Sequence, residues 1–341
     1  MQTIKLNASE SSSVVNCSVC GKPSQIKIDY ARLNLCADCF SIRFEKKILE
    51  ANKKYSFFRR KDKIALAISG GKDSASLLVS LHKICKKIGD IELTPILIDE
   101  GIDGYRNVAC KKAEELCEQF GYTLNIFSYK NLFGGTLDDA MENRHNLVKT
   151  KDSRPLHSCG YCGIFRKQAL NIAAKEVGAN KLALGHNADD IAQSLIMNLL
   201  GRHTDRLSQS NPIIHAKSKE GLIQRIKPLA FSTEMECALY AKLNSAPFHL
   251  GGCPYANESL RGMVKDFLNQ VENQIPGTKL NLVESSIELF NDLKKPEKNY
   301  RLLKKCKTCG EPSSDSKNDL CRSCQIIQQL GFSMRQEDQH E

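Results

Sequence analysis

The sequence has 341 residues, of which 49 are Lys or Arg and 39 are Asp or Glu, giving a net charge of +10. This length suits one sizeable domain with small satellites, and the positive charge favours an RNA partner, although ordinary surface charge also explains it. There is no apolar run long enough to cross a membrane and no secretory signal pattern, so we expect a cytoplasmic protein whose 15 cysteines bind metal or do chemistry.

The first motif is a pair of CxxC knuckles, separated by 15 residues, that follows a polar, serine-rich start. Each knuckle places two thiolates on one side of a tight turn, and two such turns complete the tetrahedral sulfur set that zinc prefers. The four cysteines are Cys17, Cys20, Cys36 and Cys39. We therefore expect residues 1–45 to form an N-terminal zinc ribbon with a flexible start.

An apolar run from Ile64 to Ile68 has the length of a buried strand, and a glycine turn separates it from a helical pattern that begins at Ala75. Glycines let the backbone approach a ligand closely, and the amides and dipole of a helix N-terminus attract anions. Two serine hydroxyls and the ammonium group of Lys72 add further donors. The stretch predicts a phosphate-binding loop; a turn that only joins strand to helix is the alternative.

The turn reads SGGKDS and is not a Walker A loop, which needs four residues between its first glycine and the Gly-Lys pair. It resembles instead the PP-loop of the ATP pyrophosphatases. The resemblance implies that ATP is cut between its α and β phosphates and that a carbonyl oxygen is activated as its adenylate. The residues expected to bind ATP in this loop are Ser69, Gly70, Gly71, Lys72, Asp73 and Ser74.

Strands and helices alternate through the central part of the chain. Further strands are expected at Leu93–Ile98, Thr123–Tyr129 and Lys181–Leu184, with helices at Arg106–Phe120 and from Ile164 to Val177. This alternation predicts an α/β fold with a doubly wound parallel sheet. In such folds, ligands bind at the carboxyl ends of the strands.

A third CxxC, formed by Cys159 and Cys162, precedes the helix expected to begin at Ile164 and lies beside Arg166 and Lys167. A helix N-terminus and nearby cations lower thiol pKa values and favour the thiolate. As half of a metal site, this pair would need further ligands, and none lies nearby in the sequence. A redox pair or a chance occurrence remains an alternative.

The strand Lys181–Leu184 leads into the sequence GHNADD, which begins at Gly185. Asn187 is expected to cap the following helix, and Asp189 and Asp190 suit its first turn. Capping alone explains both aspartates. Alternatively, a carboxylate at the carboxyl end of this strand holds the Mg²⁺ that bridges ATP phosphates.

The last third of the chain carries a polar, basic stretch at Gly201–Lys227 that includes His215. We interpret it as a loop that closes over RNA or as a solvated surface loop. Cys253 follows on a glycine-rich turn, and a single cysteine there indicates little by itself.

The tail contains a second pair of CxxC knuckles, separated by 11 residues, and predicts a second zinc site. Its cysteines are Cys306, Cys309, Cys321 and Cys324. Lys294–Pro296 marks a linker before it. Residues 46–290 are therefore expected to form the catalytic domain, and residues 291–341 a C-terminal zinc ribbon.

Taken in order, these motifs resemble the tRNA 2-thiouridine synthetase family, which combines a PP-loop, adenine nucleotide alpha-hydrolase-like domain with terminal Cys₄ ribbons. The resemblance covers the chain from about Cys17 onward. It implies that Cys159, Cys162 and Cys253 ligate a 4Fe–4S cluster whose fourth iron is free to carry the transferred sulfur.

The same resemblance implies an ATP site and a reaction. ATP would adenylate O2 of a uridine, sulfur would attack that carbon, and AMP would leave to give 2-thiouridine, with Lys72, Asp73, Asp190 and the three cysteines in catalytic roles. The residues that it assigns to ATP are Ala67, Ile68, Ser69, Asp73, Ile98, Arg166, Gly185 and Asp190. Relatives have lysine at the position of Arg166, so Lys167 is an alternative for its role.

The resemblance carries further expectations, and the stretches Ile98–Arg106 and Cys253–Ala256 look closer to the wobble-uridine enzymes. The substrate would be tRNA, modified at the anticodon wobble uridine or, as the runner-up, at the T-loop uridine. The sulfur donor would be a ubiquitin-like carrier protein or inorganic sulfide, the assembly a homodimer, and the metal content two Zn²⁺ and a 4Fe–4S cluster, with Mg²⁺ accompanying ATP.

Two other classes of function remain open at this stage. Another PP-loop enzyme that uses ATP to amidate or aminate would carry an ammonia-donating domain, which the sequence lacks, and would not need the three cysteines. A non-catalytic tRNA-binding module would tolerate loss of Lys72 and Asp73.

Overall fold

The computed structural model describes residues 15–144, 156–203, 206–207, 211–214, 221–258, 260–293, 304–313 and 319–333. The serine-rich start through residue 14, His215 and the expected linker Lys294–Pro296 lie outside the described residues. No helix in these ranges is long and apolar enough to cross a membrane.

The N-terminal ribbon is a short hairpin followed by a long helix. Strands β1 (Ile26–Ile28) and β2 (Leu33–Leu35) pair antiparallel, and helix α1 (Ala37–Tyr55) follows directly. Cys36 is the N-cap of α1, and its Sγ accepts a hydrogen bond from the Cys39 N–H at 3.5 Å. The turn of the second CxxC knuckle therefore also begins the helix.

The first half of the sheet follows the expected alternation closely. Its elements are β3 (Lys63–Ala67), α2 (Lys72–Ile88), β4 (Glu92–Asp99), α3 (Arg106–Gln119) and β5 (Asn125–Ser128). Ile64, Ala65 and Leu66 in β3 are fully buried, as a parallel strand covered by helices on both faces must be.

The chain then crosses to the other side of β3. The elements are α4 (Tyr129–Phe133), α5 (Leu137–Asn143), α6 (Ser158–Glu176), β6 (Lys181–Ala183) and α7 (Ala188–Leu200). Helix α6 begins at Ser158, so the expected start at Ile164 was wrong and the CxxC lies inside the helix. Gly160 and Gly163 concealed this start, because glycine disfavours a helix interior.

Two strands occur in the region expected to be a loop, β7 (Ile213–Ile214) and β8 (Gln224–Ile226). The interpretation of Gly201–Lys227 as loop throughout was therefore wrong. The strand β7 has only two residues, too few to form a recognisable apolar run. The strand β8 begins with the polar residues Gln224 and Arg225 and therefore lacks the apolar pattern of a buried strand.

The remaining helices pack around this sheet and carry the C-terminal ribbon. They are α8 (Glu234–Leu243), a 3₁₀ helix (Pro254–Glu258), α9 (Arg261–Gln274) and α10 (Thr278–Leu293), followed by the ribbon hairpin β9 (Lys304–Lys305) and β10 (Pro312–Ser313) and by helix α11 (Arg322–Leu330). Residue 45 lies within α1 and residue 290 within α10, so each helix runs across an expected domain boundary.

The sheet order is β5-β4-β3-β6-β8-β7, with all neighbours parallel except the antiparallel edge strand β7. This confirms the doubly wound parallel sheet. From β3 the chain first builds outward through β4 and β5, and it then returns to place β6 against the other side of β3. Ligands of such sheets bind at this topological switch point, beyond the carboxyl ends of β3 and β6.

Candidate functional site

The SGGKDS turn lies at the switch point, between β3 and α2. Gly70 has φ +84°, and a Cβ there would lie 2.1 Å from the Ala109 carbonyl oxygen, so only glycine fits this close approach to α3. The next glycine, Gly71, is the N-cap of α2 and supplies no capping side chain. The first-turn amides of α2 can therefore bind an anion.

Two hydroxyl groups hold the turn in shape. The Ser69 N–H donates to Ser74 Oγ at 3.1 Å, and the Ser74 hydroxyl donates to the Gly71 carbonyl at 2.9 Å. The Ser69 hydroxyl lies 3.1 Å from Ser74 Oγ and 3.4 Å from the Gly71 nitrogen. Hydrogen bonds of its own side chains therefore hold the loop in this conformation.

Lys72 is paired with two carboxylates. Its Nζ lies 3.0 Å from Asp73 Oδ2 and 2.9 Å from Glu234 Oε1 at the start of α8. Burial opposes the charge of Lys72, but Asp73 and Glu234 outweigh burial and raise its pKa. Lys72 therefore remains a cation at the mouth of the loop.

The GHNADD turn follows β6 and faces the PP-loop. Asn187 caps α7 as expected, in a capping box with Asp190. The Asn187 side-chain amide also donates to Asp73 Oδ1 at 3.0 Å, and a Cβ on Gly185 would lie 3.3 Å from the Asp73 backbone. The two loops are therefore in direct contact.

The two aspartates of GHNADD have different environments. Asp189 is buried, forms an ion pair with the buried Lys279 of α10, and accepts the Glu234 N–H at 2.7 Å. Asp190 is partly exposed and lies 3.4 Å from the Arg261 guanidinium. Asp189 thus stabilises the fold, and Asp190 remains at the switch point.

Asp190 acts electrostatically on Asp73. Burial raises the pKa of Asp73 to about 6; Lys72 opposes this rise, whereas Asp190 adds to it. Burial also raises the pKa of Asp190, against the attraction of Arg261. Carboxylates beside a phosphate-binding turn offer oxygen ligands of the kind that Mg²⁺ prefers.

The third CxxC lies in the first turns of α6. Cys159 is exposed and Cys162 is buried. The N-cap, His157, provides no side-chain hydrogen bond, and the Ser158 N–H instead donates to Glu258 Oε2 at 3.0 Å. Because Glu258 belongs to the 3₁₀ helix after Cys253, this contact ties the Cys253 turn to the start of α6.

Cys253 packs against the buried cluster that contains Cys162, although about ninety residues separate the two in the chain. The sulfur atoms of Cys159, Cys162 and Cys253 do not all lie within 4.8 Å of one another. The Cys159 charge raises the pKa of Cys253, and Cys253 raises that of Cys162, but burial is the largest cause of both shifts. For Cys162 and Cys253, burial therefore outweighs the neighbouring Arg166, which lowers both pKa values. Metal binding would have to expel their protons.

The segment that leads to Cys253 also contacts the SGGKDS turn. The His249 N–H donates to the Gly70 carbonyl at 2.8 Å, and the His249 ring lies 5.9 Å from that of Tyr105. The PP-loop, the Cys253 turn and the N-terminus of α6 therefore surround one region.

A charge network that was not predicted from the sequence links Cys162 to the PP-loop through the exposed Arg166 and the buried Glu100 and Arg106. Arg166 Nη2 lies 3.1 Å from Cys162 Sγ and 2.8 Å from Glu100, whose other oxygen lies 2.8 Å from Arg106 Nε. Arg106 donates in turn to the Ser69 carbonyl at 3.2 Å. The available signal was Glu100, an acidic residue directly after the strand β4.

The two Cys₄ groups have the geometry of metal sites. Among the described residues, they are the sets of His, Cys, Asp or Glu ligand atoms that all lie within 4.8 Å of one another. Cys20 Sγ lies 3.7 Å from Cys36 Sγ, and Cys309 Sγ lies 3.6 Å from Cys321 Sγ. A tetrahedron with zinc–sulfur bonds of about 2.3 Å has sulfur separations of about 3.8 Å, so zinc fits both groups.

Comparison with known families gives two matches. The model described as a PP-loop domain matches residues 40–270, and the model described as the N-terminal LIM domain of the 2-thiouridine synthetase TtuA matches residues 16–41. The first covers the sheet with both of its ligand-facing loops, and the second covers the N-terminal ribbon.

Curated relatives match over most of their length. Cytoplasmic tRNA 2-thiolation protein 1 of Caenorhabditis elegans is 34% identical over 318 residues, which cover 92% of this chain and 80% of the relative. A probable sulfurtransferase of Methanocaldococcus jannaschii is 31% identical over 317 residues, covering 93% and 88%.

A solved structure agrees. U34-tRNA thiolase NcsA from Methanococcus maripaludis with its [4Fe-4S] cluster superposes with a TM-score of 0.76 at 29% identity, covering 94% of this chain and 98% of that one. The chain therefore belongs to the PP-loop family of tRNA 2-thiolation proteins.

Proposed function

We propose that this protein is an ATP-dependent tRNA sulfurtransferase of the cytoplasm that replaces O2 of the anticodon wobble uridine with sulfur. The observation that carries the proposal is the contact between the PP-loop and the cysteine-bearing segments, through His249 on Gly70 and through the network from Cys162 to Ser69. A base activated by ATP at the loop would then lie beside the thiols. The names of the relatives, tRNA 2-thiolation protein and U34-tRNA thiolase, support the substrate.

In the first half of the reaction the chain binds ATP and orients its α-phosphate. The amides of the first turn of α2, with Ser69, Ser74 and the cation Lys72, would bind phosphate oxygens. Uridine O2 attacks the α-phosphorus and pyrophosphate leaves. Asp73 and Asp190 are the carboxylates that would hold Mg²⁺, which neutralises charge on the phosphates.

In the second half sulfur displaces AMP from C2. Cys159, Cys162 and Cys253 are the thiols that would hold a 4Fe–4S cluster, which would supply an iron with an open position for the incoming sulfur. Arg166 would hold positive charge beside Cys162 and thereby favour its thiolate. The donor would be a ubiquitin-like carrier protein or sulfide, and the acting species a homodimer.

The proposed function is tested by analysing tRNA from a strain that lacks this protein. Digestion and mass spectrometry are expected to show unthiolated uridine at the wobble position, with sulfur restored by the wild-type gene and not by a gene encoding Asp73→Ala. Loss of sulfur at the T-loop uridine instead would contradict the wobble assignment, and thiolation restored by Asp73→Ala would contradict a catalytic role altogether.

Zinc in the ribbons is proposed to be structural, and the Cys36→Ser variant tests this. The variant is expected to retain one of two zinc ions and to melt at a lower temperature, because Leu35 and Phe40 of the ribbon belong to the same buried cluster as Phe57 and Leu77. Elemental analysis and thermal unfolding measure both effects. The control is Cys110→Ser in α3, which should keep both zinc ions. A Cys36→Ser protein with the zinc content of the wild type would contradict the N-terminal zinc site.

A further inference from the structure

The C-terminal ribbon lies directly on α6, the helix that begins with Cys159 and Cys162. Asn171 donates to Glu311 of the ribbon at 2.6 Å, and Lys175 forms an ion pair with the same carboxylate. Ile326 and Leu330 of α11 belong to the same buried cluster as Phe165 and Cys162. The contact is therefore both polar and apolar.

The segment after α11 extends this contact toward the loop between α4 and α5. A Cβ on Gly135 would lie 2.4 Å from the Phe332 ring, and one on Gly134 would lie 2.1 Å from the Ser333 carbonyl oxygen. These glycines are needed for the close approach. The segment after α11 is therefore closely packed against the loop between α4 and α5.

Gln168 of α6 reaches into the metal-binding group itself. Its Nε2 donates to Cys309 Sγ at 3.3 Å, and its Oε1 lies 3.8 Å from Cys321 Sγ. Both cysteines belong to the Cys₄ set that fits zinc. An N–H donor to a metal-bound thiolate orients the ligand and stabilises its charge, as outer-sphere groups of metal sites do.

Helical spacing places the ribbon contacts and the Cys162–Arg166 pair on different faces of α6. Gln168, Asn171 and Lys175 follow the i, i+3, i+7 pattern of one face, which meets the ribbon. Cys162 and Arg166 are an i, i+4 pair on a different face, where Arg166 contacts the Cys162 sulfur. One rigid helix therefore connects the ribbon metal to the thiols of the candidate active site.

We propose that Gln168 is an outer-sphere ligand of the C-terminal metal. Through Gln168 and the ribbon, this metal holds α6 in place, so that Cys162 and Arg166 keep their position. Gln168 is a positioning residue in this arrangement and not a catalytic one. The inference rests on the proposed function only for the identity of the metal as zinc and for the role of the thiols. Its tests need neither ATP nor tRNA.

The first test measures metal retention in the full chain. In a Cys36→Ser background, which keeps only the C-terminal site, Gln168→Leu is expected to lower zinc affinity about 10- to 100-fold in competition with a metallochromic chelator. Gln119→Leu, at an exposed position of α3, is the matched control and should change nothing. Equal zinc affinity in the two variants would overturn the proposal. If Gln168→Leu does not fold, Gln168→Met, which also lacks the amide, carries the same expectation.

The second test measures whether the C-terminal metal holds α6. Cys309→Ser and Cys36→Ser each remove one zinc site, but only Cys309→Ser is expected to accelerate hydrogen–deuterium exchange in the peptide that spans residues 158–167. Exchange there that stays at the wild-type rate in Cys309→Ser, or that rises equally in both variants, would overturn the coupling. Failure of the tRNA assay alone would leave these readouts unaffected and would count against the proposed function instead.

Discussion

The Cys253→Ala variant is expected to lose the iron that we propose for the Cys159, Cys162 and Cys253 site and, with it, more than about 100-fold in tRNA-thiolating activity, since even outer-sphere changes cost up to that much. Cys253 is tied to the start of α6 through Ser158 and Glu258 and to the PP-loop through His249. Its removal would leave Cys159 and Cys162 as two ligands of an incomplete set. Iron analysis and the anaerobic absorption spectrum measure the first effect, and thiolation of tRNA measures the second.

The control for this variant is Cys117→Ala, which removes a buried cysteine of α3 that belongs to a different buried cluster from Cys162 and Cys253. It should retain iron and activity. A Cys253→Ala protein that keeps both its iron and its activity would contradict the assignment of the three cysteines. Loss of activity with full iron content would restrict Cys253 to a role in substrate binding.

The Asp73→Ala variant is expected to form AMP about 10²- to 10³-fold more slowly, the loss that follows removal of one group stabilising charge in a transition state. Asp73 is held by Lys72 and Asn187 and faces Asp190, so its carboxylate cannot be replaced by a neighbour without rearrangement. AMP release in the presence of tRNA and Mg²⁺ is the measurement. Asp266→Ala, on the exposed side of α9, should behave as wild type.

The same residue predicts a pH dependence. The pKa of Asp73 is raised to about 6 by burial and by Asp190, so its carboxylate takes up a proton as the pH falls from 7 to 5. Mg²⁺ binds the ionised form, and the affinity for Mg²⁺·ATP should therefore decrease over this range. The stability of the protein without Mg²⁺ should show the reverse pH dependence. Its free energy of unfolding should fall as the pH rises toward 7, because the folded state holds this proton more tightly than the unfolded state.

An Asp73→Asn variant separates these effects from general acid sensitivity. Asparagine keeps the size of the side chain and cannot titrate, so both pH profiles should lose the component between pH 5 and 7. Titration calorimetry with Mg²⁺·ATP and chemical denaturation at each pH measure them. Profiles of Asp73→Asn that match those of the wild type would assign the pH dependence to another group.

Much of this protein is determined by short stretches of its sequence. The two Cys₄ ribbons, the SGGKDS loop between a buried strand and a helix, and the Asn187 cap depend on residues that are neighbours in the chain. Spacing and turn chemistry are sufficient for such features, because the backbone forms them locally. The strands β3, β4 and β6 were likewise predictable within two residues from their apolar runs.

Only the tertiary structure decided how these stretches combine. Asp189 and Asp190 are equivalent in sequence, but the position of Lys279 on α10 buries one and leaves the other at the switch point. The same holds for Cys253, whose place beside α6 depends on Glu258, and for Gln168, whose partners are cysteines more than one hundred residues away. Local patterns carry no information about such pairs, because the order of the strands and the packing of helices over long separations bring them together.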